Sequence, residues 1–154
     1  MPEHQTLLEF LPATTDLNDD VVNELENFVS HNSKLSFEGA EDCAGWLAAR
    51  DMGSMAMMGC VGYAGRENRV YLMTLCVNKD ARRQGIGRAL AEGVYNQVVE
   101  TGETLFALTD GRMNSGFYRS LGYEHLKPAS EYKKLDDIAG RKQHRFCTVY
   151  AIQK

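Results

Sequence analysis

Apolar and polar positions along the chain fall into two periods, and the switches between them mark out the elements. "TLLEFLP" reads as a first strand closed by Pro12. In "TTDLNDDVVNELENFVSH" the apolar positions Leu17, Val21, Val22, Leu25, Phe28 and Val29 share one helical face, and Asp16, Asp19 and Asp20 suit the positive end of that helix. "SKLSFEGAED" has no period and reads as a loop or short helix. "AGWLAARD" and "MAMMGCVGYAG" read as strands joined through "DMGS". "RENR" is a charged turn before "VYLMTLCV", whose near-continuous apolar run predicts a central strand buried on both faces. From Gly87, "RALAEGVYNQVVETG" is helical: Ile86, Leu90, Val94 and Val98 recur at steps of four, and Gly102 can end it. "TLFALTD" is another strand. "NSGFYRSLG" is a short helix, with Asn114 placed to cap it and Gly122 to stop it. "YEHLKP" and "FCTVYAIQK" are strands on either side of the polar "ASEYKKLDDIAGRKQHR".

The order is β, α, loop, three strands, helix, strand, helix, two strands. Three consecutive strands favour antiparallel hairpins, and the strand–helix–strand unit from Val70 to Asp110 predicts a parallel crossover. This order makes a mixed α+β fold, its sheet flanked by helices. The 154 residues suit one domain, 1–154. At 44% hydrophobic and 25% charged the composition is that of an ordinary globular protein, and a net charge of −4 argues against a general nucleic-acid binder. No run of about 18 apolar residues predicts a membrane span, and the N-terminus does not read as a secretory signal. Cys43, Cys60, Cys76 and Cys147 are far apart, as are His4, His31, His125 and His144. They predict reduced structural thiols, no metal site and a cytoplasmic setting.

"NKDARRQGIGRAL" changes the picture. A strand, a basic glycine-bearing turn and a helix come in succession. Unpaired N–H groups at a helix start bind anions, Gly85 and Gly87 let an anion approach, and Arg82, Arg83 and Arg88 add charge. That chemistry suits a pyrophosphate. Leu90 stands where a dinucleotide fingerprint needs its third glycine, and no Gly-Lys-Ser/Thr comes after it, so neither common phosphate motif applies. In "NSGFYRSLGYE", Phe117 and Leu121 are expected to pack on the core and Tyr118 to point elsewhere, toward a group held by "LCV".

Together, "VYLMTLCVNKDARRQGIGRAL" and, about thirty residues on, "FYRSLGYE" resemble the GCN5-related N-acetyltransferase (GNAT) superfamily, and "GCVGYAG" resembles its third strand. The resemblance implies a six- to seven-stranded mixed sheet splayed between strands 4 and 5, with acetyl-CoA as co-substrate in the gap. It implies that Leu75, Cys76 and Val77 pair with the pantetheine arm and that the backbone from Arg83 through Gln84, Gly85, Ile86 and Gly87 to Arg88 cradles the pyrophosphate. Arg82 matches the leading residue of that motif. Tyr118 matches the tyrosine that protonates the leaving thiolate, and the Cys76 N–H is the candidate donor to the oxyanion.

There are departures. The family's asparagine seven residues before the tyrosine is Gly111 here, and Asn114 is the displaced candidate for cofactor contact. The strand-4 glutamate of histone-type members is Tyr71. Glu38, Glu41 and Asp42 are the remaining base candidates, and Lys133, Lys134, Asp136, Asp137, Arg141, Lys142 and Arg145 could form one wall of the acceptor site. The expectation is acetyl transfer to a primary amine of a small molecule or peptide, with no metal, no nucleic acid and no membrane, and with a homodimer as the association the family often shows. The competing expectation is a non-catalytic acyl-CoA-binding or regulatory module.

Overall fold

The computed structural model describes residues 5–33, 43–109, 115–126 and 148–154. Strands β1 (Thr6–Leu11), β2 (Gly45–Asp51), β3 (Met57–Arg66), β4 (Arg69–Val77), β5 (Thr104–Thr109), β6 (Glu124–Leu126) and β7 (Thr148–Gln153) form one sheet in the order β1-β2-β3-β4-β5-β7-β6. All neighbouring pairs are antiparallel except β4 with β5. The helices are α1 (Asp19–Asn32), α2 (Ile86–Gln97) and α3 (Ser115–Ser120). The mixed sheet and the parallel crossover through α2 are as the sequence predicts. The last strand, β7, inserts between β5 and β6.

Local chemistry sets the helix ends. The Asn18 side chain accepts the Val21 N–H at 2.9 Å, so α1 begins at Asp19. Thr14–Asp16, read from periodicity as part of that helix, form a single 3-10 turn instead. Helix α2 stops at Gln97, short of Gly102, and the Lys154 ammonium satisfies its end by donating to the carbonyls of Tyr95, Asn96 and Val99.

Each face of the sheet carries a core. Leu25 and Val29 of α1 pack with Trp46, Cys60, Tyr71 and Phe106 on one side. Leu90 and Val94 of α2 pack with Leu47, Val61, Leu72 and Leu105 on the other. Close approach of α2 requires Gly93, where a Cβ would stand 2.6 Å from a Leu47 methyl.

Candidate functional site

Strand β4 is paired on both edges only along its first half. Its parallel register with β5 runs from Arg69↔Thr104 to Leu72↔Ala107 and goes no further, while β5 continues against β7 to Thr109↔Thr148. The cause lies in β4 itself. Gly62 opposes Thr74 and Tyr63 opposes Leu72, so Met73 is an extra residue in the ladder. A bulge bends its strand and increases its twist. From Met73 onward β4 keeps only its β3 neighbour, and a gap opens toward β5.

The register decides which backbone groups face that gap. Asn78 N–H bonds Met58 C=O at 2.8 Å. Hydrogen-bonded pairs alternate along an antiparallel ladder. Cys60 and Cys76 are therefore a bonded pair, and the backbone groups of Leu75 and Val77 point the other way, into the gap. This corrects one sequence expectation: the Cys76 N–H faces Cys60, and the amides of Leu75 and Val77 are the ones the gap exposes. Burial pushes the Cys76 thiol up from its ordinary value, against smaller lowering effects of Ser33 and Arg82, so it is a poor nucleophile.

Beyond β4 the chain makes a one-turn 3-10 segment, Lys79–Ala81, capped by the Asn78 side chain accepting Asp80 N–H at 2.8 Å. Arg83 (φ 70°) and Gly85 (φ 81°) are both left-handed. A glycine takes that conformation freely, which accounts for Gly85 at the cap of α2. A Cβ there would meet nothing within 4 Å. No side chain caps α2, so the amides of Ile86, Gly87 and Arg88 are left open. The Ile86 side chain is buried in the α2-side core, while Arg82, Arg83, Gln84 and Arg88 are exposed. At Gly87 three elements meet: a Cβ would touch the Phe117 ring of α3 and the Val77 methyl of β4, each at 3.5 Å.

Phe117 and Leu121 pack against the α2-side core as expected, but Tyr118, expected to point elsewhere, is buried in it as well. Phe117 is the half-buried ring at the start of α2, whereas Tyr118 is 2% exposed. Tyr118 stacks on Tyr150 (5.4 Å between centroids, 21°) and meets Tyr123 edge-on at 5.3 Å. Burial, with Tyr123 adding to it, pushes the Tyr118 hydroxyl well above the ordinary phenol value. The Tyr123 hydroxyl is buried with no hydrogen-bond partner among the described residues. Tyr71, which the resemblance sets against the glutamate of histone-type members, is fully buried and stacks on Phe106 across the β4–β5 pair at 5.1 Å.

A cleft of about 430 Å³ adjoins this region, lined by Arg88, Glu92, Tyr95, Ser120, Leu121 and Tyr123 among others. Arg88 bonds Glu92 at 2.8 Å along its rim. Among the described residues no group of three or more His, Cys, Asp or Glu could hold a metal ion. Asn114 and Gly111, the acids Glu38, Glu41 and Asp42, and the polar stretch 129–145 lie outside the described residues. Sequence reasoning gave no role to Tyr150, Tyr123 or Asn32. Only Tyr123 carried a signal, as the aromatic five residues after Tyr118.

A sequence profile for the acetyltransferase (GNAT) domain matches residues 41–125. A Bacillus subtilis (strain 168) protein whose acetyltransferase name is provisional is 33% identical over 78 residues, 51% of this chain and 48% of that protein. The chain thus aligns with about half the length of that curated relative. The ribosomal-protein-S18-alanine N-acetyltransferase of Escherichia coli has a similar fold, with a TM-score of 0.69 at 15% identity over 96% of this chain and 93% of that one. Arabidopsis thaliana Naa50, solved with the bisubstrate analogue CoA-Ac-MVNAL, gives 0.67 at 17% identity over 96% and 99%. Escherichia coli YhbS, solved in complex with CoA, gives 0.61 at 17% over 98% and 83%.

Proposed function

Because the chain belongs to the GNAT acetyltransferase family, we propose that it transfers the acetyl group of acetyl-CoA directly to a primary amine of a small molecule or peptide. One observation carries the reading: the open backbone of β4, the uncapped start of α2 and the aromatic face of α3 converge at Gly87. A strand with one unpaired edge can hold the amide-bearing pantetheine arm as an added strand, through Leu75 and Val77. The amides from Arg83 to Arg88 then cradle the pyrophosphate, with Arg88 leading to the adjoining cleft. Two of the solved neighbours hold CoA or a CoA conjugate, which supports the same cofactor here.

Acetyl-CoA supplies an activated acyl group as its thioester. The chain's part is to orient it, to donate an N–H from Leu75 or Val77 to the developing oxyanion, and to offer the Tyr118 hydroxyl to the departing sulfur. A buried phenol is fully protonated at neutral pH, so the donor always carries its proton. The attacking amine must be neutral, and its proton passes to water or to a base outside the described residues.

Thiol release from acetyl-CoA across a panel of amines and short peptides tests this. Turnover with at least one amine, dependent on Tyr118, is expected. A protein that binds CoA tightly yet releases no thiol with any acceptor is a binding module and not an enzyme.

A further inference from the structure

The turn that carries the open amides is gripped from behind by a residue far from it in sequence. Asn32 ends α1. Its Oδ1 accepts the Lys79 N–H at 3.1 Å, and its backbone carbonyl accepts Arg82 Nη2 at 2.7 Å. Its Nδ2 donates to the Phe28 carbonyl at 3.0 Å, which fixes the side chain against its own helix. The next residue, Ser33, bonds Val29 C=O through its hydroxyl at 2.8 Å and also acts on the Cys76 thiol at the end of β4. The segment 79–82 is therefore held at both of its ends to the last residue of α1. The Arg82 bond is the stronger leg, since a guanidinium meets a carbonyl at the negative end of a helix.

The residues directly after that segment are the ones that must be in place to bind an anion. Arg83 and Gly85 take left-handed conformations and hand the chain to α2, whose first amides are open. An exposed turn with glycines loses entropy when a ligand orders it, and anchoring it in advance lowers that cost. We propose that the Asn32 side chain positions the cofactor turn: beside the Arg82 bond that its backbone carbonyl accepts in any case, its Oδ1 holds Lys79 so that the amides from Arg83 to Arg88 stand ready for a pyrophosphate. Arg82 then commits its guanidinium to α1 and reaches the phosphates only through the backbone it steadies. The inference rests on the acetyl-CoA reading above.

Two thioesters separate positioning from general support of the fold. Acetyl-CoA carries the pyrophosphate, and S-acetylpantetheine lacks it. Asn32→Ala removes the acceptor of the Lys79 N–H. It is expected to weaken CoA binding in calorimetry about 3- to 10-fold, to raise KM for acetyl-CoA by a similar factor, and to leave kcat nearly unchanged. Its kcat/KM for S-acetylpantetheine is expected to stay within about 2-fold of the wild type, because that substrate never meets the turn. Equal losses on the two thioesters, with or without a fall in melting temperature, would mean that Asn32 serves only the fold, and would overturn the proposal. CoA affinity unchanged in Asn32→Ala overturns it as well, leaving the acetyl-CoA reading intact. A wild-type protein with no affinity for CoA overturns both.

Discussion

The Tyr118 hydroxyl has two jobs in view, and they make different demands. As a proton donor it acts only while the C–S bond breaks, so it should affect the transition state and not ground-state binding. Its raised pKa makes it a weaker acid than a free phenol, and a thiolate of pKa about 8.5 needs little help. Tyr118→Phe is therefore expected to lower kcat by about 10²-fold or less, the low end for general acids, with CoA affinity unchanged. As a packing residue its ring carries the load, stacked on Tyr150 and edge-on to Tyr123. Tyr118→Ala should add a stability loss of about 3 kcal/mol, readable by thermal or urea unfolding. If Tyr118→Phe keeps the full kcat, the hydroxyl has no part in the step and water supplies the proton.

Among elements, the joint between α1 and the sheet depends on Arg50 of β2. Its guanidinium grips Glu24 of α1 in a fork, with bonds of 2.7 and 3.0 Å, and lies 3.7 Å from Glu9 of β1. The Arg50 side chain is 12% exposed and that of Glu24 is 40% exposed, so one partner is nearly dry and the other half in water. The bond to Arg50 holds the Glu24 carboxyl below its ordinary value. A depressed carboxylate stabilises the fold above its unfolded-state pKa, and that contribution disappears as pH falls through the folded value. Arg50→Met should cost about 1 kcal/mol at neutral pH, with solvent screening keeping it small. The gap between variant and wild type should narrow below about pH 4 in urea melts. A difference that stays constant down to about pH 2 would assign the effect of Arg50 to packing alone. The same joint brings the end of α1 to the turn at Lys79–Arg82, so what holds the helix also holds Asn32 in place.

For the molecule as a whole, alkaline pH is the informative stress. Burial raises both Tyr118 and Tyr123, which sit edge-on in one core. The unfolded chain releases these protons near about pH 10 while the native state keeps them, so stability is full below about pH 10 and falls above it. Tyrosinate absorbance should therefore show a delayed fraction that appears together with loss of near-UV circular dichroism; smooth titration of every tyrosine in a protein that remains folded would contradict this. The sequence by itself determined whatever depends on neighbours a few residues apart. The near-continuous apolar run located β4, the steps of four located α2, Gly85 and Gly87 marked the start of that helix, and "RRQGIGR" with "FYRSLGYE" carried the family. Tertiary structure decided the rest. A period-2 pattern tells a strand which faces to bury but not which strand lies beside it, so the insertion of β7 between β5 and β6 was not legible. The bulge at Met73 that opens the gap exists only as a mismatch between two paired strands. Phe117 and Tyr118 are adjacent rings on one short helix, and the burial of Tyr118 beside the half-buried Phe117 depends on Tyr150, supplied from β7 some thirty residues later. Asn32 and Lys154 read as ordinary polar residues at the ends of their elements; each acquires its role from groups about fifty residues or more away, brought within 3 Å or so by the fold alone.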